Sequence, residues 1–170
     1  SKVYVPPNFC PSCGGKTFKQ KSEAIRRCLS GVNCPSQTVE KLKHFVSKNA
    51  FNIEGLGDKL IVMLFKEKII NDFSDIFKIY KHKELLEKRE GLGKLSVSNL
   101  LNSIESKKRI PLDKLIYALG IKQIGENNAK LLALNYNSFE NFCSEMEKAN
   151  DKLSDSFQKL VSIDQIGENI

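Results

Sequence analysis

No run of apolar residues in this 170-residue chain approaches the ~20 needed to span a bilayer. No signal-peptide pattern opens it, so a cytosolic, non-membrane protein is expected. Alternating apolar and polar residues are nearly absent beyond the first thirty positions, which argues against a sheet-built body. Histidine occurs only twice, and there is no Ser-His-Asp set, acidic metal cluster or lysine in a Lys-x-Asp-Gly context to carry covalent chemistry. The stretch "EGLGKLS" looks like a phosphate-binding P-loop but has Lys88 where that motif needs glycine and Leu95 where it needs Ser or Thr. A dinucleotide-binding fold needs a preceding strand and a third glycine, and neither is there.

Hydrophobic residues make up 41% of the chain, enough for one or two small domains with real cores. The opening "SKVYVPPNF" reads as a strand end and a Pro-rich joint, as if cut from a longer protein. Net charge is +7 and unevenly spread. Residues 1–110 hold 21 Lys and Arg against 11 acids, and residues 111–170 hold 6 against 9. A basic balance points to an anionic partner such as nucleic acid. A solvated Lys-rich surface explains it equally well, since 23 of the 27 basic residues are Lys.

Cysteine is more specific. Cys10, Cys13, Cys28 and Cys34 form a C-x2-C-x14-C-x5-C pattern, with Cys143 far away. Zinc takes four ligands in a tetrahedron, and two thiolates two residues apart on a tight knuckle supply half of it. Pro11, Gly14 and Gly15 suit such a knuckle, and a Gly-containing turn separates Cys28 from Cys34. Lys16, Lys19, Lys21, Arg26 and Arg27 lie between the pairs and offset the charge of four thiolates. Disulfides fit poorly with a cytosolic chain and an odd cysteine count, and a redox pair would not need the second pair. A structural Zn2+ is expected. Cys143 shares helical spacing with Phe139 and Met146 and reads as a buried free thiol. His44 reads as a surface or packing residue on a helix; His82 receives no role.

Past Cys34 the period becomes helical. Pro35 starts a helix with Val39, Leu42, Phe45 and Val46 on one face. Leu60, Ile61, Leu64 and Phe65 form a second stripe. Phe73, Ile76, Phe77, Leu85 and Leu86 should point inward from two short helices. Val97, Leu100, Leu101 and Ile104 form another stripe. Leu112, Leu115, Ile116 and Leu119 follow, between Pro111 and a C-terminal stop at Gly120. The expected fold is mostly α: a linker and four-cysteine zinc finger over residues 1–35, then an all-α domain over residues 36–170.

Within that domain one unit recurs. "IEGLGDKLI", "REGLGKLSV", "IKQIGENNA" and "SIDQIGENI" place Gly57, Gly93, Gly125 and Gly167 at intervals of 36, 32 and 42 residues. Each follows an apolar residue and opens a helix. The first glycine of the pair, Gly55 or Gly91, is replaced by Gln123 and Gln165 in the other copies. A glycine pair lets the backbone reach positive φ and turn sharply between helices. Amide hydrogens of the turn and the following helix then point outward together and form a concavity for a phosphate oxygen. This is the signature of tandem helix-hairpin-helix motifs, four here with the last truncated at Ile170. Contacts of this kind read the nucleic-acid backbone, not the bases. Lys59, Lys94 and Lys130 would add charge, as would Lys107, Lys108 and Arg109 in "SKKR". One copy would be an ordinary turn; four at similar spacing are not.

The knuckle, then "LKHFVSKNAFNIEGLGDKLI", then "REGLGKLSVSNLLNSIESKKRIPLDKLIYALGIKQIGENNAKLL", resembles the C-terminal part of bacterial NAD-dependent DNA ligases over essentially the whole chain. The resemblance implies a zinc finger followed by four hairpins that hold a nicked duplex by its minor-groove backbone, in a monomer of the bacterial cytoplasm. It matches Cys10, Cys13, Cys28 and Cys34 to zinc ligands. Gly55, Gly57, Gly91, Gly93, Gly125 and Gly167 match hairpin glycines. The family's adenylation domain, OB-fold and BRCT domain are not recognisable, so NAD and Mg2+ are expected to serve the parent enzyme and not this part, which should be inactive alone. Two other classes remain open: a helix-hairpin-helix module of a repair nuclease, helicase accessory factor or topoisomerase, and a protein-binding adaptor.

Overall fold

The computed structural model describes residues 5–19 and 25–167. Its first part is a small finger. Strands β1 (Thr17–Lys19) and β2 (Arg26–Cys28) pair antiparallel with Thr17 opposite Cys28 and Lys19 opposite Arg26. A lone bridge adds Phe9 to Lys16. Among the described finger residues before α1, Cys34 alone is buried, at 1% exposure. Among its described residues no apolar core holds this segment together, and a bound metal would supply folding energy. Ser1–Tyr4 and Lys21 lie outside the described residues.

The rest is helical, as expected. A 3-10 turn at Gly31–Asn33 runs into α1 (Pro35–Val46), where Pro35 sits in the first turn and its missing N–H costs nothing. Next come α2 (Asp58–Lys66), α3 (Phe73–Ile76), a 3-10 turn at Ile79–His82 and α4 (Lys83–Glu87). Then come α5 (Lys94–Ser106), α6 (Leu112–Ala118), α7 (Glu126–Tyr136), α8 (Phe139–Ala149) and α9 (Asp155–Val161). Helices this short are marginal alone in water, so packing must hold them.

Two apolar clusters do that. The first joins Leu42, Phe45, Ile61, Leu64, Leu86, Val97 and Leu100 under an aromatic stack in which Phe45 lies 4.1 Å from Phe51 and 4.5 Å from Phe73. The second gathers Ile116, Ala129, Leu132, Tyr136, Phe142 and Ile163. Each large apolar side chain so buried contributes roughly 1.5–3 kcal/mol. Tyr117 packs against both clusters.

α1 ends at Val46 and holds its expected stripe, and Ala50 and Phe51 reach the core from the loop beyond it. Two residues differ from expectation. Leu85, expected inside, is 46% exposed, because the 3-10 turn before α4 shifts the phase and leaves Leu86 facing the core. Cys143 is half-buried against the second cluster. His44 is a packing residue: its Nε2 lies 2.8 Å from the Tyr117 carbonyl oxygen, and its ring packs edge-on to Tyr117 at 4.7 Å.

Candidate metal centre and nucleic-acid interface

The finger brings Cys10, Cys13, Cys28 and Cys34 together, with all four Sγ atoms within 4.8 Å of one another. Cys10 and Cys34 are 3.9 Å apart at sulfur, Cys13 and Cys28 3.5 Å. A disulfide would need about 2.05 Å. A tetrahedron of Zn–S bonds near 2.3 Å has edges of about 3.8 Å, which these spacings bracket. The knuckle closes through Cys10 N–H to Gly15 O at 2.7 Å and Gly14 N–H to Cys10 O at 2.8 Å. A Cβ at Gly15 would stand 2.0 Å from Ser30 Oγ, so a larger residue there would push that hydroxyl away from Cys13.

Neighbouring groups favour thiolate at Cys13 and Cys34, while the Cys10 thiol is pushed up. Ser30 Oγ lies 3.4 Å from Cys13 Sγ and lowers that thiol's pKa. The Gln37 backbone N–H, in the first turn of α1, does the same for Cys34. Ser30 N–H donates to Cys28 Sγ at 3.4 Å. Gln37 also ties the finger to α1 by donating to the Cys28 carbonyl at 3.0 Å. Ser30 and Gln37 carried no signal in the sequence, because their role depends on the folded knuckle.

The four hairpins share one geometry. Each turn closes with a bond across three residues: Leu56 N–H to Ile53 O, Leu92 to Arg89, Ile124 to Ile121 and Ile166 to Ile163. The third turn residue has positive φ in every copy, at Gly55 (84°), Gly91 (79°), Gln123 (68°) and Gln165 (64°). The apolar residue after it plugs a core: Leu56, Ile124 and Ile166 are buried and Leu92 is partly so.

The second glycine behaves otherwise, and this corrects the expectation that the whole pair needs positive φ. Gly57, Gly93 and Gly125 have φ of −79°, −76° and −84°, open to any residue. They are N-caps of α2, α5 and α7. Their carbonyls take the first helical bonds, from Ile61, Val97 and Ala129, all fully buried. A Cβ at Gly57, Gly93, Gly125 or Gly167 would meet nothing within 4 Å. These caps bring no side-chain hydrogen bond. By contrast, Asp72, Ser138 and Ser154 cap α3, α8 and α9 with their own oxygens. Hairpin helices thus start with bare amide groups behind a bare backbone. The residues following Gly167 lie outside the described residues.

The first two hairpins brace each other. Glu54 N–H donates to Ser103 Oγ of α5 at 2.9 Å, while Arg89 of the second hairpin pairs with Glu67, just past α2. In the other pair, Gln123, Gly125, Asn127, Asn128 and Gln165 line one groove. Lys59, Lys94 and Lys130 are exposed on α2, α5 and α7. The basic run after α5 is divided: Lys107 lines a groove with Asn52 and Glu54 of the first hairpin, Lys108 pairs with Glu105 at 2.7 Å, and Arg109 is exposed.

Residues 9–35 match the NAD-dependent DNA ligase C4 zinc finger domain, and residues 114–170 match a helix-hairpin-helix motif. A DNA ligase of Rickettsia bellii is 45% identical over 172 residues, covering 99% of this chain and 25% of that protein. One of Rickettsia prowazekii is 45% identical over 168 residues, covering 96% and 24%. One of Afipia carboxidovorans is 47% identical over 153 residues, covering 88% and 22%.

These matches support a C-terminal part of an NAD-dependent DNA ligase. The chain spans about a quarter of the length of the curated ligases it matches. The ligase zinc finger match includes all four clustered cysteines, and structural Zn2+ is its cofactor. The ligase relationship also covers the first two hairpins, which the helix-hairpin-helix match does not reach. Asn49, Lys114 and Glu126, which meet where the ligase part joins its two hairpin pairs, went unnoticed in the sequence. Asn49 Nδ2 donates to Glu126 Oε1 at 2.7 Å across 77 residues. No local pattern signals such a contact.

Proposed function

We propose that this chain is the DNA-gripping part of an NAD-dependent ligase, holding a nicked duplex by its backbone without reading the bases. The observation that carries this reading is the run of glycine N-caps at Gly57, Gly93 and Gly125, with Gly167 the matching glycine after the fourth turn. Glycine there answers no need of the fold: φ is ordinary at Gly57, Gly93 and Gly125, and space for a side chain is open at all four positions. A phosphate oxygen approaching the first-turn amides supplies the need, because a Cβ would hold it away. Lys94 adds a cation just past the second hairpin's cap, and Lys59 and Lys130 stand on the other hairpin helices. The zinc finger fixes the start of α1 through Gln37 and so helps to hold the first hairpin.

Sealing of nicks in replication and repair, with NAD and Mg2+, belongs in this reading to the parent enzyme, a monomer of the bacterial cytoplasm. The test is a gel-shift series with nicked, intact and single-stranded DNA over rising salt. Tightest binding to nicked duplex, independent of sequence and weakening steeply with salt, is expected. Base-specific binding, or preference for single strands, would point to another kind of helix-hairpin-helix module.

A further inference from the structure

Three copies of the repeat place an acid directly after the second glycine: Asp58, Glu126 and Glu168, against Lys94 in the second hairpin. Glu168 lies outside the described residues. Asp58 and Glu126 are each met by a lysine from the helix that precedes their own hairpin. Lys43 Nζ is 3.8 Å from Asp58 Oδ2, and Lys114 Nζ is 4.0 Å from Glu126 Oε2. Lys43 divides itself, with Glu40 nearer at 2.7 Å. Asn49 ties the second arrangement down: its Nδ2 donates to Glu126 while its carbonyl oxygen accepts from Lys114 at 3.1 Å. The same solution therefore recurs in two hairpins that differ in sequence.

A carboxylate in the first helical turn complements the positive end of the helix. That is the end a phosphate would use. The carboxylate also engages a lysine that would otherwise face the phosphate. We propose that Asp58 and Glu126 are built-in competitors for phosphate, holding the first and third hairpins at lower affinity than the hairpin of Lys94. This rests on the phosphate-gripping reading above and adds a regulation to it. Grip is then concentrated at the second hairpin, while the others hold loosely enough to let a duplex go. Removing a charged side chain from the binding element should tighten binding.

Glu126→Gln keeps an acceptor oxygen for Asn49 and removes the charge; Asp58→Asn removes the charge in the first hairpin. The full chain and each variant are titrated against nicked duplex by fluorescence anisotropy over a salt series, with thermal melting alongside. Glu126→Gln should bind about fivefold tighter near 0.1 M salt, with the log–log salt slope steeper by about 0.9 as Lys114 is released to a phosphate, whereas Asp58→Asn should tighten binding less and leave the slope nearly unchanged, because Glu40 still holds Lys43. Melting should be unchanged or slightly lower, since a helix start loses its acid. Glu147→Gln, on α8 and outside every hairpin, makes the same change in net charge and should leave affinity within about twofold. Unchanged or weaker binding by Glu126→Gln, or equal tightening by Glu147→Gln, overturns the competitor role while leaving the grip intact. Failure of the unmodified chain to bind nicked duplex overturns both.

Discussion

Gly91 and Gly93 lie two residues apart in one hairpin, and the structure gives them separable roles. Gly91 has φ of 79°, a conformation that costs an L-residue about 1–2 kcal/mol, while nothing crowds its Cβ position. Gly91→Ala should therefore destabilise by about that amount, lowering the melting temperature by roughly 2–8 °C for a chain of this size. Gly93 has φ of −76° and open space around it. Serine at this N-cap gains a few tenths of a kcal/mol over glycine, by accepting from the amides of Leu95 or Ser96. Gly93→Ser should melt at the parent's temperature or slightly above. The same oxygen, however, takes the amides offered to phosphate, and its Cβ stands in the approach. Loss of a charge-assisted contact costs about 1–3 kcal/mol, so affinity for nicked duplex should fall roughly 5- to 150-fold, equally across sequences. Paired melting and anisotropy measurements on both variants decide the matter. The reasoning is refuted if Gly93→Ser binds as tightly as the parent, or loses as much stability as Gly91→Ala.

Other expectations are simpler to check. Removing zinc with a chelator, or Cys28→Ser, should collapse the finger while far-ultraviolet circular dichroism keeps the helical signal, because no apolar core replaces the metal's folding energy; a finger whose amide-exchange protection survives would contradict this. Lys94→Ala should lower the salt slope of DNA binding by about one unit, read from the same anisotropy series. Incubated with radiolabelled NAD and nicked DNA, the chain should yield neither labelled protein nor sealed product, having no lysine in a Lys-x-Asp-Gly context. Tyr136→Phe should stabilise by about 1 kcal/mol in thermal melts, since the buried Tyr136 hydroxyl has no hydrogen-bond partner among the described residues and burial raises its pKa.

The cysteine cluster could be foreseen from spacing, because thiolate ligands two residues apart leave few alternatives. The hairpins were legible from their recurrence, but the division of labour between the paired glycines was not. A signal did exist: the first glycine gives way to Gln123 and Gln165, whereas the second is glycine in all four copies. Backbone strain at the first position is thus tolerated by longer residues at some cost, and the second position answers a different demand. Leu85 was misplaced because a helical period cannot be carried through the 3-10 turn at Ile79–His82. The His44–Tyr117 and Asn49–Glu126 contacts span 73 and 77 residues, beyond any local periodicity.

The central claim is that bare amides at the hairpin helix starts receive DNA phosphates. Titrating nicked duplex into isotope-labelled chain and following backbone amide resonances tests it most directly. The largest changes should fall on Lys94–Ser96, at the start of α5, with smaller ones at the starts of α2 and α7. Changes confined to the finger or to α8 and α9, with the hairpin amides unmoved at saturation, would contradict it.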